Sequence, residues 1–336
     1  MRCLMFEELG KLRATETADP TYPVWIKVQA TGICGTDLKS VYVGHRYFQP
    51  PTVLGHEFYG QIHKAPEGFP LKKGTWVVAA PYYECGECPT CKAGKGDLCQ
   101  NKNYVEAGTF AEFVGVPENY MDGLFVLPEK KNPDDYDVYA LTEPLSCVIN
   151  GTSRLETIPG YSKVLIVGGG PMGALFALYY KAKGIEAAIV EPNDERASRL
   201  NSWGILTVKQ DQVQKGEYDN IVIAVNIASL VGAYLPLVRQ GGNLLVFSGL
   251  PKGEMLAVDA GAIHYSEVSI KGCSGFALEH FKEAFETIRN NENSFRQLIT
   301  HRFGFEHGQE AFDMLKAGKA FKILIGADME NGRTAG

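Results

Sequence analysis

The sequence predicts an α/β protein with two domains, one rich in short strands and one built as a doubly wound, six-strand parallel sheet. Three observations carry that prediction. At 336 residues the chain exceeds what one hydrophobic core usually supports. Before about residue 145, short alternating strands are broken by Gly and Pro. After it, longer apolar strands recur between helical stretches, starting with a glycine-rich turn.

In chain order, the first part shows strands at Trp25 to Ala30, Thr75 to Ala80 and Ala111 to Val116, which together suggest a barrel-like domain. The middle opens with Lys-Val-Leu-Ile-Val-Gly-Gly-Gly-Pro-Met-Gly over Lys163 to Gly173. Gly168, Gly170 and Gly173 fit G-x-G-x-x-G, with Pro171 and Met172 between the last two. A buried apolar strand precedes this turn and a helical stretch from Ala174 to Lys183 follows, so the helix N-terminus can hold a pyrophosphate. The next strand, Glu186 to Val190, ends in Glu191, placed to hydrogen-bond both ribose hydroxyls of NAD and to repel a 2′-phosphate. Arg196 could pair with such a phosphate, but its place a turn into the following helix suits covering the adenine face. These features favour NAD over NADP.

Further strands are expected at Ile205 to Val208, Ile221 to Val225, Asn243 to Ser248 and Val268 to Cys273. Gly249, Gly272 and Gly275 at strand exits suit either close approach to a dinucleotide or simple turns. The final sixty or so residues return to helices at Phe276 to Asn290 and Gly308 to Ala317, and strands at His301 to Phe305 and Lys322 to Ile325. No repeat or low-complexity run marks a linker.

Four cysteines lie within one short segment: Cys85, Cys88, Cys91 and Cys99. With 8 Cys in the chain, a window of that length should hold about 0.4 of one, so the cluster is not an accident of composition. Two residues between thiolates let a turn aim both sulfurs at one ion, and Gly86, Pro89, Gly94 and Gly96 supply the bends. The spacing predicts a structural four-thiolate zinc site. A disulfide pair is the alternative, but no signal peptide opens the chain and the other cysteines are scattered. A nucleic-acid-binding module would need a basic surface, whereas Lys92, Lys95 and Lys102 are offset by Glu84, Glu87 and Asp97.

Composition is that of an ordinary globular protein, 45% hydrophobic and 21% charged with a formal net charge of −6, and it recommends no anionic polymer as partner. The longest apolar runs, Lys163 to Gly168 and Ile221 to Val225, fall far short of a membrane span. A cytoplasmic protein with no membrane or nucleic-acid partner is expected.

A second metal constellation lies in the strand-rich part, where Gly32-Ile33-Cys34-Gly35-Thr36-Asp37 and Gly55-His56-Glu57-Phe58-Tyr59-Gly60 supply a thiolate, an imidazole and a carboxylate. Three protein ligands with a fourth position open is the pattern of a catalytic zinc. Glu143, in Thr-Glu-Pro-Leu-Ser, is a further carboxylate candidate. Taken singly, each of these residues could equally be a buried Cys or a capping Glu.

Cys34-Gly-Thr-Asp, Gly55-His-Glu, the Cys85 to Cys99 lobe, Glu143-Pro-Leu and Gly168 to Gly173 occur in an order that resembles the zinc-dependent medium-chain dehydrogenases across essentially the whole chain. The chain is most similar to the polyol branch, which includes sorbitol, threonine and galactitol-phosphate dehydrogenases. The resemblance implies a GroES-like catalytic domain over residues 1–147 and 276–336, and an inserted Rossmann NAD-binding domain over 148–275. It further implies two zinc ions per chain. Cys34 and His56 would ligate the catalytic one, with Glu57 and Glu143 competing for the third place, and Thr36 would take the substrate proton toward the nicotinamide ribose. A hydroxyl merely satisfying a backbone carbonyl is the plainer role for Thr36.

Where many relatives carry a histidine five residues after the ligand cysteine, this chain has Lys39, read as a solvated lysine. Glu143 in place of a third cysteine makes the site harder and more polar, which suits polyols. Tyr42, His45, Arg46 and Tyr47 form a stretch able to hydrogen-bond several hydroxyls, or through Arg46 a phosphate or carboxylate. The implied reaction is oxidation of a polyol, cyclitol or sugar-type secondary alcohol to a ketone by NAD, in a homodimer or homotetramer. A catalytically inactive zinc- and nucleotide-binding relative is the alternative.

Overall fold

The computed structural model describes residues 1–106 and 108–329; residues 107 and 330–336 lie outside the described residues. The chain divides into two compact units, Met1–Glu143 with Ala277–Gly336, and Pro144–Phe276.

In the first unit the central strand is Val24–Gly32. Its residues alternate between buried and half-buried until Ala30, then turn wholly inward through Thr31 and Gly32 toward Cys34. Six strands form the main path of the sheet, in the order Leu124–Val126, Trp76–Ala79, Glu57–Lys64, Val24–Gly32, Lys322–Gly326 and Ile299–Gly304. Phe113–Val116 also pairs with the central strand. Val24, Ile26, Val28, Phe58, Ile62 and Val77 pack on one face, as period-two alternation requires. The last strand, Lys322–Gly326, is buried at every position. It lies antiparallel to the central strand through Leu324↔Gly32 and Ile325↔Thr31, and Ile33 N–H donates to Ile323 O at 3.0 Å. Two ends of the chain therefore meet directly beside Cys34. A hairpin of Arg2–Glu8 and Lys11–Glu16 was not among the strands expected.

The second unit is a parallel six-strand sheet in the order Leu206–Val208, Glu186–Val190, Lys163–Val167, Tyr218–Ile223, Val238–Val246 and Ser269–Gly272. This is the doubly wound order, with the chain reversing direction across the sheet beside Lys163–Val167. Two strand starts lie several residues before the positions expected. Tyr218–Ile223 starts earlier than Ile221, and Val238–Val246 starts well before Asn243. The pairing of these two strands slips between Tyr218 and Asn220, so Arg239-Gln240-Gly241-Gly242 bulges out and reads in sequence as a loop. The helix after the glycine turn begins at Pro171 rather than Ala174, since proline is tolerated at a first helical position. In the closing segment of the first unit, a short helix, Glu292–Arg296, adds to the elements foreseen.

Candidate active site

Cys34 ends the central-strand segment and immediately precedes the helix Gly35–Tyr42. Its backbone N–H donates to Asp37 Oδ2 at 2.9 Å, a cap that turns the chain sharply. Asp37 also reaches the second motif, accepting from Gly55 N–H at 3.3 Å and lying 3.7 Å from His56 Nδ1. One buried carboxylate thus ties the two motif loops together. The ligating atoms of Cys34, His56 and Glu57 fall within 4.8 Å of one another. Thiolate, imidazole and carboxylate are zinc donors, and three of them leave a fourth position open.

Glu57 is fully buried, and its carboxylate is held by Lys322 Nζ at 2.8 and 2.6 Å. The same ammonium donates to Ile33 O at 3.2 Å, next to Cys34. Gly32 makes room for this carboxylate, because a Cβ there would stand 2.2 Å from Glu57 Oε2. Lys322 is the residue the sequence did not offer. It opens an apolar strand far along the chain, and only the antiparallel pairing with Val24–Gly32 brings it here.

The electrostatics agree with a site made for a cation. Burial pushes the Asp37 carboxyl up, against the pull of His56. For His56, burial works downward, but Asp37 and Cys34 outweigh it and hold the imidazole well above its ordinary value. Glu143, buried in the first turn of the helix Thr142–Thr152, is pushed up to about 7 by burial; His56 pulls it back down and Glu57 raises it further. Glu143 is not among the three residues whose donor atoms converge, although it interacts with two of them. Thr36 is half-buried in the first turn after Cys34, while Lys39 is exposed.

The Cys85 to Cys99 segment folds into a knuckle with all four sulfurs together. Sγ–Sγ separations are 3.4 Å for Cys88–Cys91, 3.5 Å for Cys99–Cys85, 3.8 Å for Cys88–Cys99 and 4.0 Å for Cys85–Cys91. A tetrahedron with metal–sulfur arms of about 2.3 Å has edges of about 3.8 Å, so the set fits zinc. The Thr90 hydroxyl and the Cys91 backbone draw the Cys88 thiol down to about 5, toward the thiolate a metal requires.

In the second unit, Gly168 has φ +107° and Gly173 passes so close that a Cβ would lie 1.9 Å from Gly168 O. Gly170 stands at the N-cap of the helix Pro171–Ala182, with Pro171 and Met172 half-buried in its first turn. That leaves backbone N–H groups directed at an anion. Glu191 is buried at the end of Glu186–Val190, accepting from Gly169 N–H at 3.0 Å and Asn193 N–H at 2.8 Å. Arg196 pairs with it at 3.2 Å.

Among the residues considered for substrate recognition, Tyr42 is half-buried. Its hydroxyl donates to Asp313, and Lys316 lies 3.9 Å over its ring, which fastens Gly35–Tyr42 to the helix Gly308–Lys316. Tyr47 and Arg46 stay exposed, with the Arg46 guanidinium 4.3 Å over the Tyr47 ring, and His45 stacks on Phe48.

Residues 21–129 match the alcohol dehydrogenase GroES-like domain. D-altritol 5-dehydrogenase of Agrobacterium fabrum is 29% identical over 317 residues, spanning 90% of this chain and 92% of that protein. Sorbitol dehydrogenase of Bacillus subtilis is 28% identical, over 86% of this chain and 85% of its own. Galactitol-1-phosphate dehydrogenase of Escherichia coli superposes with a TM-score of 0.83 at 21% identity, over 97% of this chain and 99% of that one, a likeness of fold. No described helix is long and apolar enough to cross a membrane. The matched domain contains both cysteine motifs, and the likeness to dehydrogenases of polyols runs over most of the chain.

Proposed function

We propose that this oxidoreductase transfers a hydride from a secondary alcohol of a polyol, cyclitol or sugar-type substrate to NAD, giving a ketone. The convergence of Cys34, His56 and Glu57, braced by Asp37 and Lys322, is the observation that supports it. Cys34 and His56 would hold a catalytic zinc, with Glu57 or Glu143 as third donor, and the four lobe thiolates a structural one. When bound, zinc would supply Lewis acidity toward the substrate oxygen, and NAD would supply the hydride acceptor.

The chain's own residues prepare the rest. Asp37 orients His56 and fixes the Cys34 turn. Lys322 donates to both oxygens of Glu57, which fixes the direction in which that carboxylate faces. The Thr36 hydroxyl, beside Cys34, would accept the proton leaving the substrate hydroxyl at its Oγ1 while passing its own proton on toward the nicotinamide ribose. Gly168 to Gly173 would receive the pyrophosphate at the helix N-terminus. Glu191 supports NAD, because a buried carboxylate at that place disfavours a 2′-phosphate.

A panel of polyols and their ketones, assayed with NAD and with NADP alongside metal analysis, tests this reading. The expected outcome is two zinc ions per chain and NAD reduction by at least one polyol. Zinc in the lobe alone with no turnover would mark an inactive relative, and equal use of NADP would remove the role given to Glu191. Cys34→Ser is expected to lose one zinc and all measurable turnover while keeping the fold by circular dichroism; full activity would overturn the ligand assignment.

A further inference from the structure

The helix Leu278–Asn290 has a weak start of its own. Its N-cap is Ala277, which has no side-chain acceptor for the first amides of the helix. His280 Nδ1 accepts from the Ala277 N–H at 3.0 Å. The first helical amide, that of Leu278, donates instead to Glu84 Oε2 at 2.9 Å, a residue 194 positions earlier. A carboxylate at a helix N-terminus satisfies an orphan donor and complements the helix dipole.

Glu84 is not an ordinary loop residue. It directly precedes Cys85, the first sulfur of the lobe, and its side chain lies against Gly96, where a Cβ would come within 2.9 Å of the Glu84 carboxyl carbon. Gly96 itself begins the 3₁₀ turn Gly96–Leu98 that delivers Cys99. The Cys85 N–H donates to Cys99 Sγ at 3.4 Å and Asn101 N–H donates to the same sulfur at 3.3 Å. The position of Glu84 is therefore set from both sides by segments that meet at the thiolate cluster, beside the strand pair Tyr82–Tyr83 and Asn103–Tyr104. On the other side of the contact, the helix matters to its unit. Phe281 and Phe285 pack on Phe125 with centroids 5.3 and 5.5 Å apart, and Ala277 is where the chain re-enters the first unit.

We propose that the four-thiolate lobe acts as a metal-dependent cap for the helix Leu278–Asn290, with Glu84 as the connecting residue. Loading the lobe with zinc and ordering the start of this helix are then one coupled event. Losing lobe zinc loosens the segment by which the chain returns to the catalytic unit, without touching Cys34, His56 or Glu57. The inference rests on the lobe holding zinc. Coupling of this kind is reciprocal, so a helix that cannot donate to Glu84 must also weaken the lobe's hold on its metal.

Two substitutions, each made in the full zinc-loaded protein, approach the contact from opposite ends. Glu84→Ala removes the acceptor. Leu278→Pro removes the donor and leaves the lobe sequence intact, and proline is well accepted at a first helical position when the preceding residue is extended, as Ala277 is with φ −105° and ψ 162°. Competition with a chromophoric chelator reads lobe zinc affinity, and hydrogen exchange reads amides 279–282. Both variants are expected to lose roughly fivefold in lobe affinity, and Glu84→Ala to speed exchange there by a similar factor, the usual size of one cap. The double variant should be no worse than either single one. A zinc-bearing lobe indifferent to Leu278→Pro, or effects that add in the double variant, would overturn the coupling alone. A wild-type lobe that holds no zinc would overturn the metal assignment and the coupling together.

Discussion

Lys322 sits between both oxygens of Glu57 and the carbonyl of Ile33 with almost no exposure to water. Burial alone would depress its pKa, but Glu57 and Cys34 outweigh it and hold the ammonium above its ordinary value. Removing one member of a buried pair strands the other, at about 3–5 kcal/mol. Lys322→Met is therefore expected to destabilise the protein by about that much in denaturant unfolding and to reduce zinc bound at the Cys34 group. Lys322→Arg should recover most of the stability, because it keeps the charge; a Met variant as stable as wild type would mean that the Lys322–Glu57 contact does not support the fold. The contrast with Cys34 and His56 shows what a sequence can reveal. Their motifs are local, with the cap residue Asp37 three positions from Cys34 and Glu57 next to His56, so the sequence can offer them as candidates. Lys322 is announced by nothing nearby, because its meaning comes from a strand pairing between distant parts of the chain.

Among the elements, the glycine turn makes the sharpest commitment. A methyl group at Gly173 would collide with the Gly168 carbonyl, and that backbone atom cannot swing away as a side chain would. Gly173→Ala is expected to weaken dinucleotide binding by tenfold or more in a fluorescence titration while leaving the zinc content unchanged, since the metal sites lie in the other unit. Unaltered binding would mean that the pyrophosphate does not use this turn. The turn, the strand before it and Glu191 after it were all legible, because hydrophobic period and glycine spacing act within a few residues. The start of Val238–Val246 was not. Its bulged Arg239 to Gly242 segment is polar and glycine-rich, which mimics a loop, and only the partner strand Tyr218–Ile223 makes it sheet.

On the scale of the molecule, the candidate metal residues and the glycine turn proposed for the nucleotide belong to different compact units, so the two kinds of ligand should stabilise different stretches of chain. Removing zinc with a chelator is expected to raise hydrogen exchange within residues 1–143 and 277–329 and to leave 144–276 nearly unchanged. Adding NAD should protect mainly 144–276. Uniform changes across the chain in both experiments would show that the units do not respond separately. The two-part organisation was legible from length and from the change of strand character. The discontinuity of the first unit was implied only by family resemblance, since helices and strands at residues 277–329 carry no local mark of where they dock.

The pairing of Lys322–Gly326 with Val24–Gly32 also fixes an order of events during synthesis. A ribosome finishes Cys34, His56 and Glu57 long before it reaches Lys322, and the whole of the second unit is made in between. The growing chain must therefore carry a half-built reaction centre, with the Glu57 carboxylate still lacking its counter-charge, while the nucleotide-binding unit is already complete enough to fold. Nascent chains arrested just before Lys322 should hold a dinucleotide yet fail to turn over an alcohol, so dehydrogenase activity arrives as one of the last properties the emerging protein acquires.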